Sequence, residues 1–310
     1  MNLPLWTENP VLIYGPHKSG STLMQRLLDG HSSAWCYPNE LKLKFLIKQP
    51  PATRRESLET NKHFCLLQSF EHPRWDHQKF KEMVSKMDNF CVGIEDYIRG
   101  LSHISWQCVQ GSPESPHLWI TKEVGGAANQ VMAAWKHMYY NGRIIFILRH
   151  PLHVVRSIVL LRLRMGKTMS LHRTYRAMND TLKVTWNCVR HADKKWAFPV
   201  LYESLTSDDT ELLLRRLCTF LDLEFEHILL KPTIFGEPTI VATSSKQTTE
   251  VFTQEKRWTT GLGKVHIGAM WVMYVALNNL YAFKAKMWKY RSYSKISSKI
   301  SKLVAAPPPA

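Results

Sequence analysis

Apolar positions along the chain follow two rhythms. Val11 to Tyr14 is an unbroken apolar run rich in β-formers and stopped by Gly15-Pro16, which predicts a buried strand running into a loop. From Ser21 the rhythm changes: Leu23, Leu27 and Leu28 recur at helical spacing until Gly30 supplies a stop. Leu118 to Thr121 and Arg143 to Leu148 predict two further strands, with a helix over Val131 to Tyr139 between them, and Phe198 to Tyr202 predicts a fourth. Strands alternating with helices predict an α/β fold, a parallel sheet covered by helices on both faces.

Phe80, Met83, Val84, Met87, Cys91, Ile94 and Ile98 keep one apolar stripe and predict a sizeable helix between the first two of those strands. Asp208 followed by Glu211 has the spacing of a helix cap, ahead of an apolar face of Leu213, Leu217, Phe220 and Leu221. Residues 49–76 mix Pro, Arg, His and Ser without period and suggest no role. Ile267 to Phe283 is uncharged but shorter than the ~20 residues of a spanning helix, and it carries Asn278-Asn279. A helix packed on the domain through Ile267, Met270, Trp271, Tyr274 and Tyr281 is expected. The expected organisation is one α/β domain over residues 1–283, with 49–116 a partly loop-rich and helical insertion, and a basic C-terminal tail over 284–310.

Composition changes this picture in three ways. With 310 residues, 45% of them hydrophobic, the chain can bury a substantial core. The formal charge of +16 is uneven, because Lys256 to the end holds ten Lys or Arg and no acid. The body is only mildly basic, so a duplex nucleic-acid surface is not expected. The tail, with Trp288, Tyr290 and Tyr293 among its lysines, can lie on an anionic membrane, grip RNA, or stay solvated. Six dispersed cysteines form no Cys-x-x-Cys pair, which argues against a disulfide scaffold or zinc fold. No signal peptide or anchor is readable before the first apolar run, and the expectation is a cytoplasmic protein with peripheral membrane contact.

The stretch Gly-Pro-His-Lys-Ser-Gly-Ser-Thr from Gly15 to Thr22 stands at a strand-to-helix junction, where backbone N–H groups and the helix dipole favour an anion. Its glycine spacing is P-loop-like, yet Ser21 stands where a nucleotide hydrolase carries Lys, and Lys18 comes earlier. Such a hydrolase also needs an acid after a second strand to hold magnesium. Here that strand ends in Arg149-His150-Pro151. Arg149 and Ser157, two helical turns on, suit a second phosphate, so two anion sites in one nucleotide pocket are implied. His150 and His153 have no third ligand nearby in sequence and are expected to be loop and helix-surface residues, and no metal site is expected.

Taken together, residues 11–31, Arg143 to Ser157, and Val200 to Leu205 leading into Phe220-Leu-Asp-Leu resemble the sulfotransferases that use 3′-phosphoadenosine 5′-phosphosulfate (PAPS). The likeness is nearer the membrane-type branch, which modifies carbohydrates and protein tyrosines, and its bacterial relatives. It covers roughly residues 11–48 and 117–265. The resemblance implies that Lys18, Ser21 and Thr22, with backbone donors of Ser19 and Gly20, hold the 5′-phosphosulfate. Arg149 and Ser157 would take the 3′-phosphate and Tyr202 would lie near the adenine. His17 can touch ligand, and Arg257, next to Trp258, lies where the family returns a loop over the nucleotide. Lys18 stands where that branch usually carries Arg, and His150 where an acid or Asn is usual.

Sulfuryl transfer to a hydroxyl needs in-line geometry, charge stabilisation and a base. Glu40 is the candidate base, at the place where the membrane-type family carries its proposed Glu. The competing reading is that Glu40 opens a helix whose Leu41, Leu43 and Phe45 pack inward. His31 is the chemical rival, although its place after Asp29-Gly30 suits a turn. Lys122 ends the predicted strand and matches a family Lys beside the transferring group, where it would offset developing charge; an ion pair with Glu123 or another carboxylate is the alternative. The expected activity is transfer of the PAPS sulfuryl group, without a metal, to a hydroxyl-bearing acceptor such as a saccharide, glycolipid or other metabolite. The rivals are a P-loop kinase and a catalytically silent RNA- or lipid-binding module.

Overall fold

The computed structural model describes residues 3–47, 72–87, 93–126, 128–239, 241–242, 247–248, 259, 261–287, 290 and 292–305. Five strands, β1 (Pro10–Gly15), β2 (Ala34–Glu40), β3 (Leu118–Val124), β4 (Arg143–Leu148) and β5 (Ala197–Leu201), pair in parallel in the order β2-β3-β1-β4-β5. Four coincide with the apolar runs. The fifth, β2, is unannounced in the sequence because it contains Pro38, and Pro is confined to positions such as this edge strand. Its register also shifts between Cys36 and Glu40, a bulge that sets Glu40 opposite Lys122. Glu40 therefore closes a strand and does not open a helix; the short helix α2 (Leu43–Leu46) starts three residues later.

Strand alternation divides the core into two layers. Val11, Ile13, Ile120, Ile145 and Ile147 face one layer, shared with α1 (Ser21–Leu28) and, after the chain has crossed the sheet, α8 (Thr210–Leu221). Leu12, Tyr14, Trp119, Phe146 and Leu148 face the other. That layer is filled by α3 (His77–Ser85), α4 (Ile94–Gln107), α5 (Ala128–Met138), α6 (Pro151–Arg164) and α7 (Leu171–His191), with α9 (Lys264–Lys284) and α10 (Tyr293–Ala305). This is the α/β, P-loop-like architecture with helices on both faces of a parallel sheet. The described cysteines Cys36, Cys108, Cys188 and Cys218 are buried and free.

Several local expectations are corrected. The stripe from Phe80 to Ile98 is two helices, α3 and α4, and residues 88–92 lie outside the described ones. The cap of α8 is Asp209, with no side-chain bond, and the helix starts one residue late for Asp208 to cap it; Thr210 Oγ1 donates to the Ser207 carbonyl at 2.7 Å in the same turn. The buried stripe of α9 is Met270, Tyr274, Leu277, Asn278 and Ala282, while Trp271 faces outward. Asn278 accepts a 3.0 Å bond from Trp186 Nε1, which explains a polar residue in that stripe. Among the described residues no helix is long and apolar enough to cross a membrane. Residues 293–305 form a helix docked on β5 through buried Ile296 and Ile300, with Arg216 donating to the Val304 carbonyl at 2.9 Å.

Candidate active site

Parallel strands bring their carboxyl ends together, and there Gly15, Glu40, Val124, Arg149 and Tyr202 converge. Tyr14 Oη donates to the Gly125 carbonyl at 2.7 Å and ties the ends of β1 and β3. The loop after β1 is shaped by two left-handed residues, Lys18 at φ 63° and Gly20 at φ 108°. A side chain at Gly20 would meet the Tyr202 ring at 2.3 Å, so glycine is needed for conformation and for space. Gly20 caps α1 without a side-chain bond, which leaves the dipole end of that helix facing the loop. Ser19 Oγ is buried with no hydrogen-bond partner among the described residues. A buried hydroxyl lacking a partner beside an uncapped helix end fits an anionic ligand.

The second cationic position is preformed. Arg149 is 5% exposed. Its guanidinium sits 4.3 Å from the Tyr202 ring centroid, and its Nη1 donates to the Lys18 carbonyl at 3.2 Å and lies 3.5 Å from Ser157 Oγ. Burial lowers the Arg149 pKa; Tyr202 and Glu203 oppose that shift, and the neighbouring Arg156 charge adds a smaller push downward. Glu203 also accepts from the His150 backbone N–H at 3.4 Å and from Tyr293 Oη at 3.3 Å. His150 Nδ1 caps α6 by accepting from Leu152 N at 3.2 Å. The His150 ring is 4.7 Å from that of Tyr293. His150, at the N-cap, is thus half-buried against the last helix, and His153, in the first turn of α6, is half-buried beside the His150 ring. Burial pushes both down to about 4, with His153 assisting for His150 and Arg149 for His153.

At the other side of the loop, Lys122 is buried and donates to Thr22 Oγ1 at 2.9 Å. Burial pushes its pKa down to about 8 against the pull of Glu40, and Arg26, Lys42 and Lys18 lower it further. Glu40 is paired through Oε2 with Lys42, whose left-handed backbone follows the strand end. Glu123 instead turns away and accepts from Leu43 N at 2.6 Å. His31 is buried at the far end of α1, where Nε2 meets the Glu224 carbonyl at 2.7 Å and Nδ1 accepts from Ser33 N at 2.9 Å. Both its nitrogens serve that turn, which removes it as a base for this site. His17 is exposed and its ring lies over Gly125. A cleft of about 420 Å³ opens beside it, lined by apolar Ile158, Leu161 and Met165 and by the charged side chains of Lys18, Arg162, Lys167 and Asp180.

The structure thus brings together His17, Lys18, Ser19, Gly20, Ser21, Thr22, Lys122, Glu40, Arg149, Ser157 and Tyr202, while Arg257 and Trp258 lie outside the described residues. The sequence pattern does not single out Lys42, Glu203 or Tyr293. Glu203 adjoins Tyr202, and that adjacency is its one signal; Tyr293, far off in sequence, carries none.

Comparison with known proteins agrees with this fold. The chain is similar in fold to the sulfotransferase domain from the Synechococcus PCC 7002 olefin synthase, with 20% identity, a TM-score of 0.53 and coverage of 97% of this chain and 96% of that one. The sulfotransferase domain from the curacin biosynthetic pathway is similar at 18% identity and a TM-score of 0.53, covering 97% and 99% of the two chains. No curated protein matches by sequence. The family model described as "Sulfotransferase family" matches residues 10–227, more than half of the chain and the whole of the sheet with its loops. The chain belongs to the sulfotransferase family.

Proposed function

We propose that the protein transfers the sulfuryl group of PAPS to a hydroxyl acceptor, a saccharide, glycolipid or other metabolite. The observation that carries this reading is the pair of cationic positions joined by one hydrogen bond, Arg149 Nη1 to the Lys18 carbonyl. Their spacing around one loop suits a nucleotide with acidic groups at both ends of its ribose. The 5′ end would be held by Lys18, Ser21, Thr22 and the loop amides, with Ser19 Oγ gaining the partner it lacks. The 3′-phosphate would be held by Arg149 and Ser157. The donor supplies an activated sulfuryl group, and the chain supplies position, charge and a proton acceptor.

Glu40 takes the acceptor proton. Its ion pair with Lys42 fixes one carboxylate oxygen and leaves Oε1 outside that pair. Lys122, held by Thr22 and protonated below about 8, offsets negative charge growing on the leaving oxygen. The cleft beside His17 and Lys18, walled by Ile158, Leu161 and Met165, offers an acceptor an apolar wall and the Asp180 carboxylate.

The test is titration with adenosine 3′,5′-bisphosphate in the presence of a chelator, followed by mass spectrometry of an extract incubated with isotopically labelled donor. Micromolar binding and a labelled product that requires the protein are expected. Dependence on ATP and magnesium instead would overturn the assignment.

A further inference from the structure

The membrane expectation attached to the basic C-terminus meets a different structure, because residues 293–305 are docked on β5. The exposed apolar surface lies one helix earlier. On α9, Val265 is 72% exposed, Val272 67%, Phe283 73% and Trp271 52%, with Val275 and Leu280 also exposed. At 100° per residue these six fall within one half of the helix surface, opposite the stripe that packs on α7. No charged residue interrupts that half between Lys264 and Lys284. Leu171 and Tyr175 are exposed on the adjoining start of α7, where the Met169 carbonyl meets His266 at 3.1 Å.

The charge around this surface is predominantly positive, Asp180 beside Tyr281 being the exposed acid next to it. Lys264 stands at one end of α9, and Lys284 and Lys286 at the other, all exposed. Arg164, Lys167, Arg173 and Arg176 are exposed on the neighbouring segment. The chain holds no Asp or Glu between Val124 and Asn179, and none after Glu255. We propose that this face of α9 lies on an anionic lipid bilayer, with Val265, Val272 and Phe283 entering the headgroup–acyl boundary and the flanking lysines meeting lipid phosphates. An apolar strip with a basic border is the pattern of an interfacial helix, and no described helix is suited to spanning. A second copy is the poorer occupant, since a two-fold contact would set the same predominantly cationic borders against each other.

The test is co-sedimentation of the full chain with vesicles of phosphatidylglycerol and phosphatidylcholine, and with phosphatidylcholine alone. Binding to the anionic vesicles, weakened by salt, is expected. The triple change Val265→Ser, Val272→Ser and Phe283→Ser should lower partitioning by about tenfold or more, as should Lys264→Gln with Lys284→Gln and Lys286→Gln. Both variants should keep the parent melting temperature and bisphosphate affinity, which excludes misfolding as the cause. Arg149→Ala should still bind vesicles, so failure here is separable from failure of the sulfuryl-transfer reading. Absence of vesicle binding, or parental binding by both variants, overturns the proposal. So does self-association that the serine variant abolishes, which assigns a second copy, or retention on polyglutamate without vesicle binding, which assigns an acidic protein.

Discussion

Arg149 and Lys18 offer positive charge to the same cleft, yet Arg149 is 5% exposed and clasped by Tyr202, Ser157 and a backbone carbonyl, whereas Lys18 is exposed on a left-handed loop residue. The desolvation of Arg149 is incurred on folding, before any ligand arrives. Lys18 keeps its rotamer freedom until binding and loses it then. On the proposed function, the difference would assign affinity mainly to the Arg149 end and rate mainly to the end where Lys18, Lys122 and Glu40 meet.

The sharpest way to break that division is Glu40→Gln, expected to cut turnover by about 10²- to 10⁴-fold while bisphosphate affinity stays near the parent value. Full activity would remove the base assignment. Next is Arg149→Ala, which should weaken bisphosphate binding by about 2–5 kcal/mol in calorimetry, because a buried charge partner is lost. If Lys18→Ala cost as much affinity as Arg149→Ala, the two ends would be equivalent and the comparison void. Lys122→Ala should lower kcat more than it raises the nucleotide Kd.

The same lysine gives a pH signature. Its folded pKa of about 8 lies below the ordinary 10.5, so activity that needs its charge should fall as pH rises through about 8. Between about 8 and 10.5 the unfolded chain binds more protons at this group, so its contribution to stability rises with pH over that window. Opposite slopes in rate and in denaturant midpoint are the check. The smallest effect concerns His150 and His153, both pushed down to about 4 from 6.5. Stability should be lost as pH falls between those values, where the unfolded imidazoles protonate first, and His150→Asn should flatten that slope.

Much of this was legible in the chain because it follows from local rules. The strand ending at Gly15 and the strand ending before Arg149 each hand a cation to the same edge of the sheet, and the distance along the sequence from strand end to cation is short. Strand β2 was not legible, since Pro38 and the bulge hide its period, and with it went the pairing of Glu40 with Lys122 across β2 and β3. The link from Lys122 to Thr22 joins residues a hundred positions apart, and Tyr293 reaches Glu203 across ninety. Contacts of that range depend on how whole elements dock, which no short window of sequence contains. The docking of residues 293–305 was hidden for the same reason: Ile296 and Ile300 are legible as a stripe only once β5 is known to await them.

The bond from Tyr293 to Glu203, with His150 beneath, also carries a temporal consequence. The lining behind Arg149 is completed by a helix translated some ninety codons after β5. Until that helix has been made and docked, the lining behind Arg149 is incomplete, so this pocket matures later than the sheet that carries it.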